Sequence, residues 1–441
     1  MSNMNSLLAE LTWRGLLYQH TEPLGAALSA GVVTGYCGFD PTATSLHVGN
    51  LVPVMGLAHL QRAGHRPVVL IGGGTGMIGD PSGKTSERQL STPETVKANS
   101  RAIQSQLEKF LEFGEPHGAI MRDNAEWLLE MGAVEFMREV GKHFTVSYMM
   151  QKESVRARME EGGISYTEFS YMLLQAKDFL ELYRRVGCTL QIGGSDQWGN
   201  ITAGIELVRR VEGVEAHALT MPLVTTAAGT KFGKTEAGAV WLDPKLTSPY
   251  RFYQFWVNVD DRDASRFMRF FTLMAREEIE ELEGELAAHP ERRVAQQALA
   301  RDVTTRVHGE KAARAAADVS ALLFGKGDAA ALSPDALEAL RDEVPFVDLP
   351  AIPAEGIDAT DLFVAAKLAP SKGAARRLLE QGGLSVNGAK LGVEQRVVRS
   401  ESLLAGRHLL LRKGAREYAL VRVGGPDQAL PETPPRPSRT S

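Results

Sequence analysis

From about residue 30 to 225, short apolar runs such as VVTGYCGF, RPVVLIGG and CTLQIGG alternate with stretches whose apolar positions recur at helical spacing. That rhythm predicts a parallel sheet with crossover helices, an α/β domain. After about residue 250 the spacing becomes helical. DASRFMRFFTLMAREEIEELEGELAAH predicts one long amphipathic helix, Pro290 interrupts it, and ERRVAQQALARDVTTRVHG resumes as part of a small helical domain. Residues 325–356 mix Gly, Pro and acids and predict a connector with at most one helix. Beyond it, SKGAARRLLEQGG predicts a Ser-capped basic helix, and LSVNGAKL a hairpin turning on Asn-Gly. Residues 425–441 have the composition of a disordered tail.

The 441 residues suffice for two or three domains. Two cysteines, Cys37 and Cys188, can build neither a disulfide framework nor a cysteine-rich zinc site. No basic start leads into an apolar stretch, and no apolar run approaches the roughly 20 residues that span a bilayer, so a cytoplasmic protein without a membrane partner is expected. Net charge is −5, unevenly spread: residues 357–424 hold twelve Lys or Arg against six Asp or Glu. A basic module on an acidic body suits contact with a polyanion, and a solvated basic face accounts for it equally.

GTGMIGDPSGKT (residues 74–85) overlaps two nucleotide signatures. As a dinucleotide fingerprint it lacks an acid closing a second strand, because STPETVKANSRAIQSQLEKF predicts a capped polar helix there. As a phosphate loop it has one residue too few between its glycines, and Pro81 removes a backbone donor. A Gly-rich turn between strand and helix fits better and leaves Asp80, Lys84 and Arg88 to be explained. Elsewhere, TGYCGFDPTATSLHVGN runs from a strand through a polar turn into a helix whose start holds His47, Gly49 and Asn50, an end that attracts phosphate. KFGKT, about 180 residues later, sets Lys231 and Lys234 on a Gly-rich loop where two ammonium groups can close on a triphosphate.

Together these two elements resemble the HIGH and KMSKS signatures of class I aminoacyl-tRNA synthetases. YCGFDPTATSLHVGN, GDPSGKTSER, YTEFSYMLLQAKDF, IGGSDQWGNI and KFGKT follow one another as in the bacterial tyrosyl-tRNA synthetase family, over about residues 5–424. The basic module resembles the RNA-binding domain named after ribosomal protein S-four. The resemblance implies a Rossmann-like parallel-sheet catalytic domain over 1–225, with an inserted segment forming a dimer interface. The KFGKT loop and a small α-helical domain follow over 226–325, then a linker over 326–356 and an α+β S-four-like domain over 357–424.

It also implies activation of L-tyrosine by ATP, carried with Mg²⁺, and transfer to tRNA(Tyr) by a homodimer, with no protein-bound metal site and no nicotinamide. Thr42 and His47 would serve the γ-phosphate side, and Lys84, Arg88, Lys231, Lys234 and Thr235 the departing pyrophosphate. Cys37, Gly38, Asp40, Gly49, Asn50, Asp196 and Gln197 would line adenosine and ribose. Tyr36 and Asp178 would read the tyrosine hydroxyl, Asp80, Tyr171 and Gln175 its ammonium, and Gln191 would complete the pocket. YMLLQAKDF sets Tyr171, Gln175 and Asp178 on one helical face, a spacing that an amphipathic helix with outward polar residues also produces. Asn50 departs from the second histidine of the HIGH pattern, and Pro53 follows in the first turns of the same helix. Lys372, Arg376, Arg377 and Lys390 are candidates for RNA phosphate contacts. The rival readings are a tryptophanyl synthetase, against which Tyr36 and Asp178 argue, an inactive RNA-binding scaffold, and a dinucleotide oxidoreductase.

Overall fold

The computed structural model describes residues 6–82, 91–114, 118–161, 163–230, 232–235, 238–325 and 327–424. The chain divides into two compact units, Met1–Thr247 with Phe255–Val307, and Ser248–Gln254 with His308–Ser441.

In the first unit, strands β1 (Gln19–His20), β2 (Thr34–Phe39), β3 (Arg66–Ile71), β4 (Ile120–Asp123), β5 (Cys188–Gly194) and β6 (His217–Met221) form one sheet. Their order is β1-β6-β5-β2-β3-β4. All pairs are parallel except β1 with β6, a two-residue antiparallel edge. The three apolar runs read as strands are β2, β3 and β5, and β3 is buried from Pro67 to Ile71, as a strand covered on both faces should be. The helix Leu51–Arg62 carries β2 to β3, with nine of its twelve residues buried. From β2 the chain builds outward through β3 and β4, while β5 and β6 lie on the other side of β2. This reversal opens a crevice at the carboxyl ends of β2 and β5, where parallel sheets bind ligands.

The long helix expected after residue 260 is two helices, Asp261–Phe271 and Arg276–Ala288, separated by Thr272–Ala275. Arg14 accounts for the break. Its buried guanidinium donates to the carbonyls of Arg269 (3.0 Å), Thr272 (3.0 Å) and Met274 (2.7 Å) and so satisfies oxygens that a continuing helix would have bonded internally. A donor some 255 residues upstream leaves no trace in local periodicity.

The second unit holds β9 (Phe346–Leu349), β11 (Leu384–Val386), β12 (Ala389–Lys390), β14 (His408–Lys413) and β15 (Glu417–Val423) in the order β12-β11-β14-β15-β9, numbered with the short strands β7 (Lys234–Thr235), β8 (Gly238–Ala239), β10 (Ile357–Asp358) and β13 (Val397–Val398). Phe363, Leu379, Leu384, Leu409 and Val421 belong to its core. Ser371 caps the helix Lys372–Glu380 by accepting from Ala374 N at 3.2 Å, and Asn387, at φ 50°, turns the β11–β12 hairpin. The segment read as a connector is structured: it contains the helix Pro334–Arg341, and β9 pairs in parallel with β15. Four residues between two prolines are too few to show a strand's alternation. The tail 425–441 lies outside the described residues. Among the described residues, no helix is long and apolar enough to cross a membrane.

Candidate active site

A cleft of about 690 Å³ opens at the carboxyl ends of β2, β3 and β5. Fifteen residues singled out in the sequence line it: Tyr36, Cys37, Gly38, Asp40, Thr42, His47, Gly49, Asn50, Asp80, Tyr171, Gln175, Asp178, Gln191, Asp196 and Gln197. They come from strand ends, from the turn after β2 and from the helix Tyr166–Val186, whose N-cap Ser165 accepts from Glu168 N at 3.2 Å. Tyr171, Gln175 and Asp178 therefore face the cleft and not solvent. Lys84, Arg88 and Lys231 lie outside the described residues, and at Lys234 and Thr235 the backbone alone is described, as β7.

At one end of the cleft Asp178 is buried, and both its oxygens are held: Trp127 Nε1 donates to Oδ1 at 2.8 Å and Asn124 Nδ2 to Oδ2 at 2.9 Å. Burial pushes this carboxyl up to about 8, against the pull of those two donors and with a further push from Asp40 and Asp123. Among the described residues, Tyr36 Oη and Gln191 Oε1 are buried nearby without a hydrogen-bond partner. Burial, with the Asp178 charge next, also raises the Tyr36 phenol well above its ordinary value. The arrangement suits a ligand group that donates and accepts at once.

Asn124, Trp127 and Thr75 escaped the sequence reading. Asn124 is the hub: besides Asp178 it reaches Thr75 Oγ1 at 2.9 Å, and its own oxygen accepts from Gly74 N at 2.7 Å. Thr75 in turn donates to Asp40 Oδ1 at 2.7 Å, and Tyr171 Oη donates to Asp40 Oδ2 at 2.9 Å. Their one signal is the polar pair Asp123-Asn124 where a parallel strand ends. A second set surrounds Asp80, whose Oδ2 accepts from Gln197 Nε2 at 2.6 Å, while Gln197 Oε1 accepts from Asn200 at 3.2 Å and Gln175 at 3.4 Å. Gln197, expected beside the ribose, thus bonds the carboxylate expected to meet an ammonium. GTGMIGD is a tight 3-10 turn over Thr75–Met77. A Cβ on Gly76 would lie 2.8 Å from Pro41 Cδ, so this glycine serves packing of the turn.

His47 caps the short 3-10 turn Val48–Asn50, which runs on into the helix Leu51–Arg62. Its Nδ1 accepts from Gly49 N at 3.0 Å, and Asn50 Oδ1 accepts from His47 N at 3.0 Å. With Nδ1 accepting, a neutral ring carries its proton on Nε2. Asn50 completes a capping box and offers its amide nitrogen as donor. The KFGKT backbone packs on this element: a Cβ on Gly233, at φ +81°, would lie 2.8 Å from Val48 Cγ2, and Val48 N donates to Val240 O at 3.0 Å. Phe232 is buried, its ring 4.7 Å from Phe267 and 4.9 Å from Phe271.

In the second unit Lys372, Arg376, Arg377 and Lys390 are all exposed, and Lys372 pairs with Asp361 at 2.5 Å. Among the described residues no group of three or more His, Cys, Asp or Glu is placed to hold a metal ion. Both cysteines are buried thiols that burial pushes up to about 12.

Residues 29–325 match the family model for class I tRNA synthetases (W and Y), and residues 336–421 that for the tyrosine–tRNA ligase SYY-like C-terminal domain. A tyrosine–tRNA ligase of Anaeromyxobacter dehalogenans is 53% identical over 420 residues, covering 95% of this chain and 100% of the relative. One of Thermobifida fusca is 53% identical over 435 residues, covering 96% and 99%. Among solved structures, a C-terminally truncated mitochondrial tyrosyl-tRNA synthetase of Aspergillus nidulans superposes with a TM-score of 0.66 at 30% identity, over 72% of this chain and 94% of that one.

Proposed function

The chain belongs to the tyrosine–tRNA ligases of the class I aminoacyl-tRNA synthetases, and on that premise we propose how its residues perform the two steps of that reaction. A carboxylate oxygen of L-tyrosine attacks the α-phosphorus of ATP. The bond from that phosphorus to the bridging oxygen breaks, and pyrophosphate leaves with the electron pair. A ribose hydroxyl of the 3′ adenosine of tRNA(Tyr) then takes the acyl group from the adenylate and AMP departs. No protein nucleophile is required, so positioning and charge carry the catalysis.

The observation that carries this reading is the buried Asp178 with Tyr36 beside it at the end of the cleft. A phenol hydroxyl can donate to the Asp178 carboxylate and accept from Tyr36. Indole offers a donor alone, and a phenyl ring offers neither and leaves both groups unpaired. Tyrosyl-tRNA synthetases are the standard illustration of discrimination by such unpaired groups. Asp80 and Tyr171, with Gln175 held through Gln197, take the ammonium, and Gln191 completes the wall. His47 Nε2 and Thr42 serve the γ-phosphate side. Lys84, Arg88, Lys231, Lys234 and Thr235 receive the charge that grows on pyrophosphate. Cys37, Gly38, Asp40, Gly49, Asn50 and Asp196 border adenosine and ribose. Mg²⁺ enters on the ATP phosphates as part of the substrate.

Lys372, Arg376, Arg377 and Lys390 supply tRNA phosphate contacts. Leu129, Val134, Met137, Val146 and Tyr166, exposed apolar side chains between β4 and β5, belong to the interface of a homodimer, and the reaction takes place in the cytoplasm. Amino-acid-dependent ATP–pyrophosphate exchange with tyrosine, phenylalanine and tryptophan side by side tests the reading. Exchange with tyrosine alone is expected; exchange with tryptophan, or with none of the three from folded protein, would overturn it.

A further inference from the structure

Residues 225–230 run towards KFGKT, and they and Phe232 of that motif are held by one face of the helix Asp261–Phe271. At the start of this stretch Asp263, 4% exposed, accepts from Ala227 N at 2.7 Å through Oδ2. Its Oδ1 accepts from Arg266 at 2.6 Å, and the same guanidinium nitrogen of Arg266 donates to Thr225 O at 2.5 Å. Past Thr230, Phe232 packs on Phe267 and Phe271. Asp263, Arg266 and Phe267 stand at i, i+3 and i+4, so the helix presents a carboxylate, a guanidinium and a ring side by side. Between the two anchors the chain closes on itself: Thr226 N donates to Thr230 O at 2.9 Å, and Thr230 N to Thr226 Oγ1 at 3.2 Å. Val224, Thr225, Gly229 and Phe232 all border the cleft.

Asp263 is not needed to start its own helix. Asp260 already does that, its Oδ1 accepting from Arg262 N at 2.9 Å. A nearly buried carboxylate that gives one oxygen to a loop amide and the other to the guanidinium that also holds that loop has the geometry of a latch. Charge-assisted bonds of this length outweigh neutral ones by about twofold.

We propose that Asp263 is a positioning residue for adenylate formation: with Arg266 it latches Thr225–Ala227 to the helix and so fixes where KFGKT begins. The inference rests on the reading that the KFGKT lysines meet the departing pyrophosphate. Loss of the latch leaves the Asp178 end of the cleft untouched and misplaces the phosphate end. The effect therefore falls on ATP and on turnover while tyrosine binding is spared.

The test is Asp263→Asn in the full-length chain, which keeps shape and removes charge. Tyrosine-dependent pyrophosphate exchange is followed against ATP concentration, tyrosine affinity by equilibrium dialysis and stability by thermal melting. Expected is a fall of about tenfold in kcat/KM for ATP with tyrosine Kd within about twofold of the parent. Asp263→Glu should recover part of the loss. Unchanged ATP parameters in the folded variant overturn the proposal, as does an equal loss of tyrosine affinity, which marks a merely structural residue. Should Asp263→Asn fail to fold, Arg266→Gln, on the exposed side of the latch, applies the same criteria. A parent chain without tyrosine-dependent exchange removes the premise itself and is told apart by the parent's own assay.

Discussion

Trp127→Phe is the sharpest probe of how the hydroxyl-reading end works. The change deletes one N–H, the 2.8 Å donor to Asp178 Oδ1, and keeps an aromatic ring in a position that is 4% exposed and faces the Arg185 guanidinium at 5.2 Å. A hydrogen bond to a charged acceptor contributes about 1.5–3 kcal/mol, or roughly 10- to 150-fold in an equilibrium. Not all of it appears as lost tyrosine affinity. The Asp178 carboxyl already stands near 8 because burial opposes its charge, and removal of one of the two donors that pull it down pushes it higher. Near neutral pH both proteins are mostly protonated at Asp178, and the variant keeps a still smaller share of the carboxylate to which the phenol donates. Tyrosine Kd should rise about tenfold near pH 7 and recover towards the parent as pH climbs above about 9 and the carboxylate re-forms. Equilibrium dialysis across that range, with melting curves as control, decides the matter. A Kd within twofold of the parent, or a loss of the same size at every pH, would refute the reasoning and leave Trp127 a packing residue.

Three further outcomes are expected. Because the native state holds a proton on Asp178 that an unfolded chain releases above 3.8, its contribution to stability is complete below that value and is lost as pH rises through about 8; Asp178→Asn should abolish this slope in urea midpoints measured at intervals over that window. Gly233→Ala forces a left-handed residue and a Cβ 2.8 Å from Val48 Cγ2, so pyrophosphate exchange should drop by about tenfold with tyrosine binding intact, as stopped-flow and dialysis would report. Exchanging Lys372, Arg376, Arg377 and Lys390 for Gln should leave exchange unchanged and reduce the salt dependence of tRNA binding by about one per phosphate contact, with least effect at Lys372, which already faces Asp361; filter binding over a salt series measures it.

The parallel sheet was legible because its strands are continuous apolar runs, and the cleft because its residues sit in contiguous motifs such as YCGFDPTATSLHVGN. What was hidden depends on partners far away in the chain. Asn124 and Trp127 enter the site by holding Asp178, more than 50 residues on, and nothing local marks a buried carboxylate as needing two donors. The break at Thr272–Ala275 depends on Arg14 in the same manner, and a helical period continues unperturbed across it. Asp263 stands in a helix's first turn, a favourable position for any acid, so the sequence carries no sign of the loop it holds.

The pairing of β9 with β15 has a consequence for biosynthesis. β9 leaves the ribosome about 70 residues before its partner, and at roughly 5–20 residues per second the interval is roughly 4–14 seconds. Throughout that time Phe346–Leu349 has no strand to join, and the sheet closes only once Glu417–Val423 has emerged. A nascent chain stalled before Glu417 would carry a finished catalytic sheet and an unclosed C-terminal one, and premature termination there would leave a free strand edge, the kind of surface that chaperones and proteases recognise.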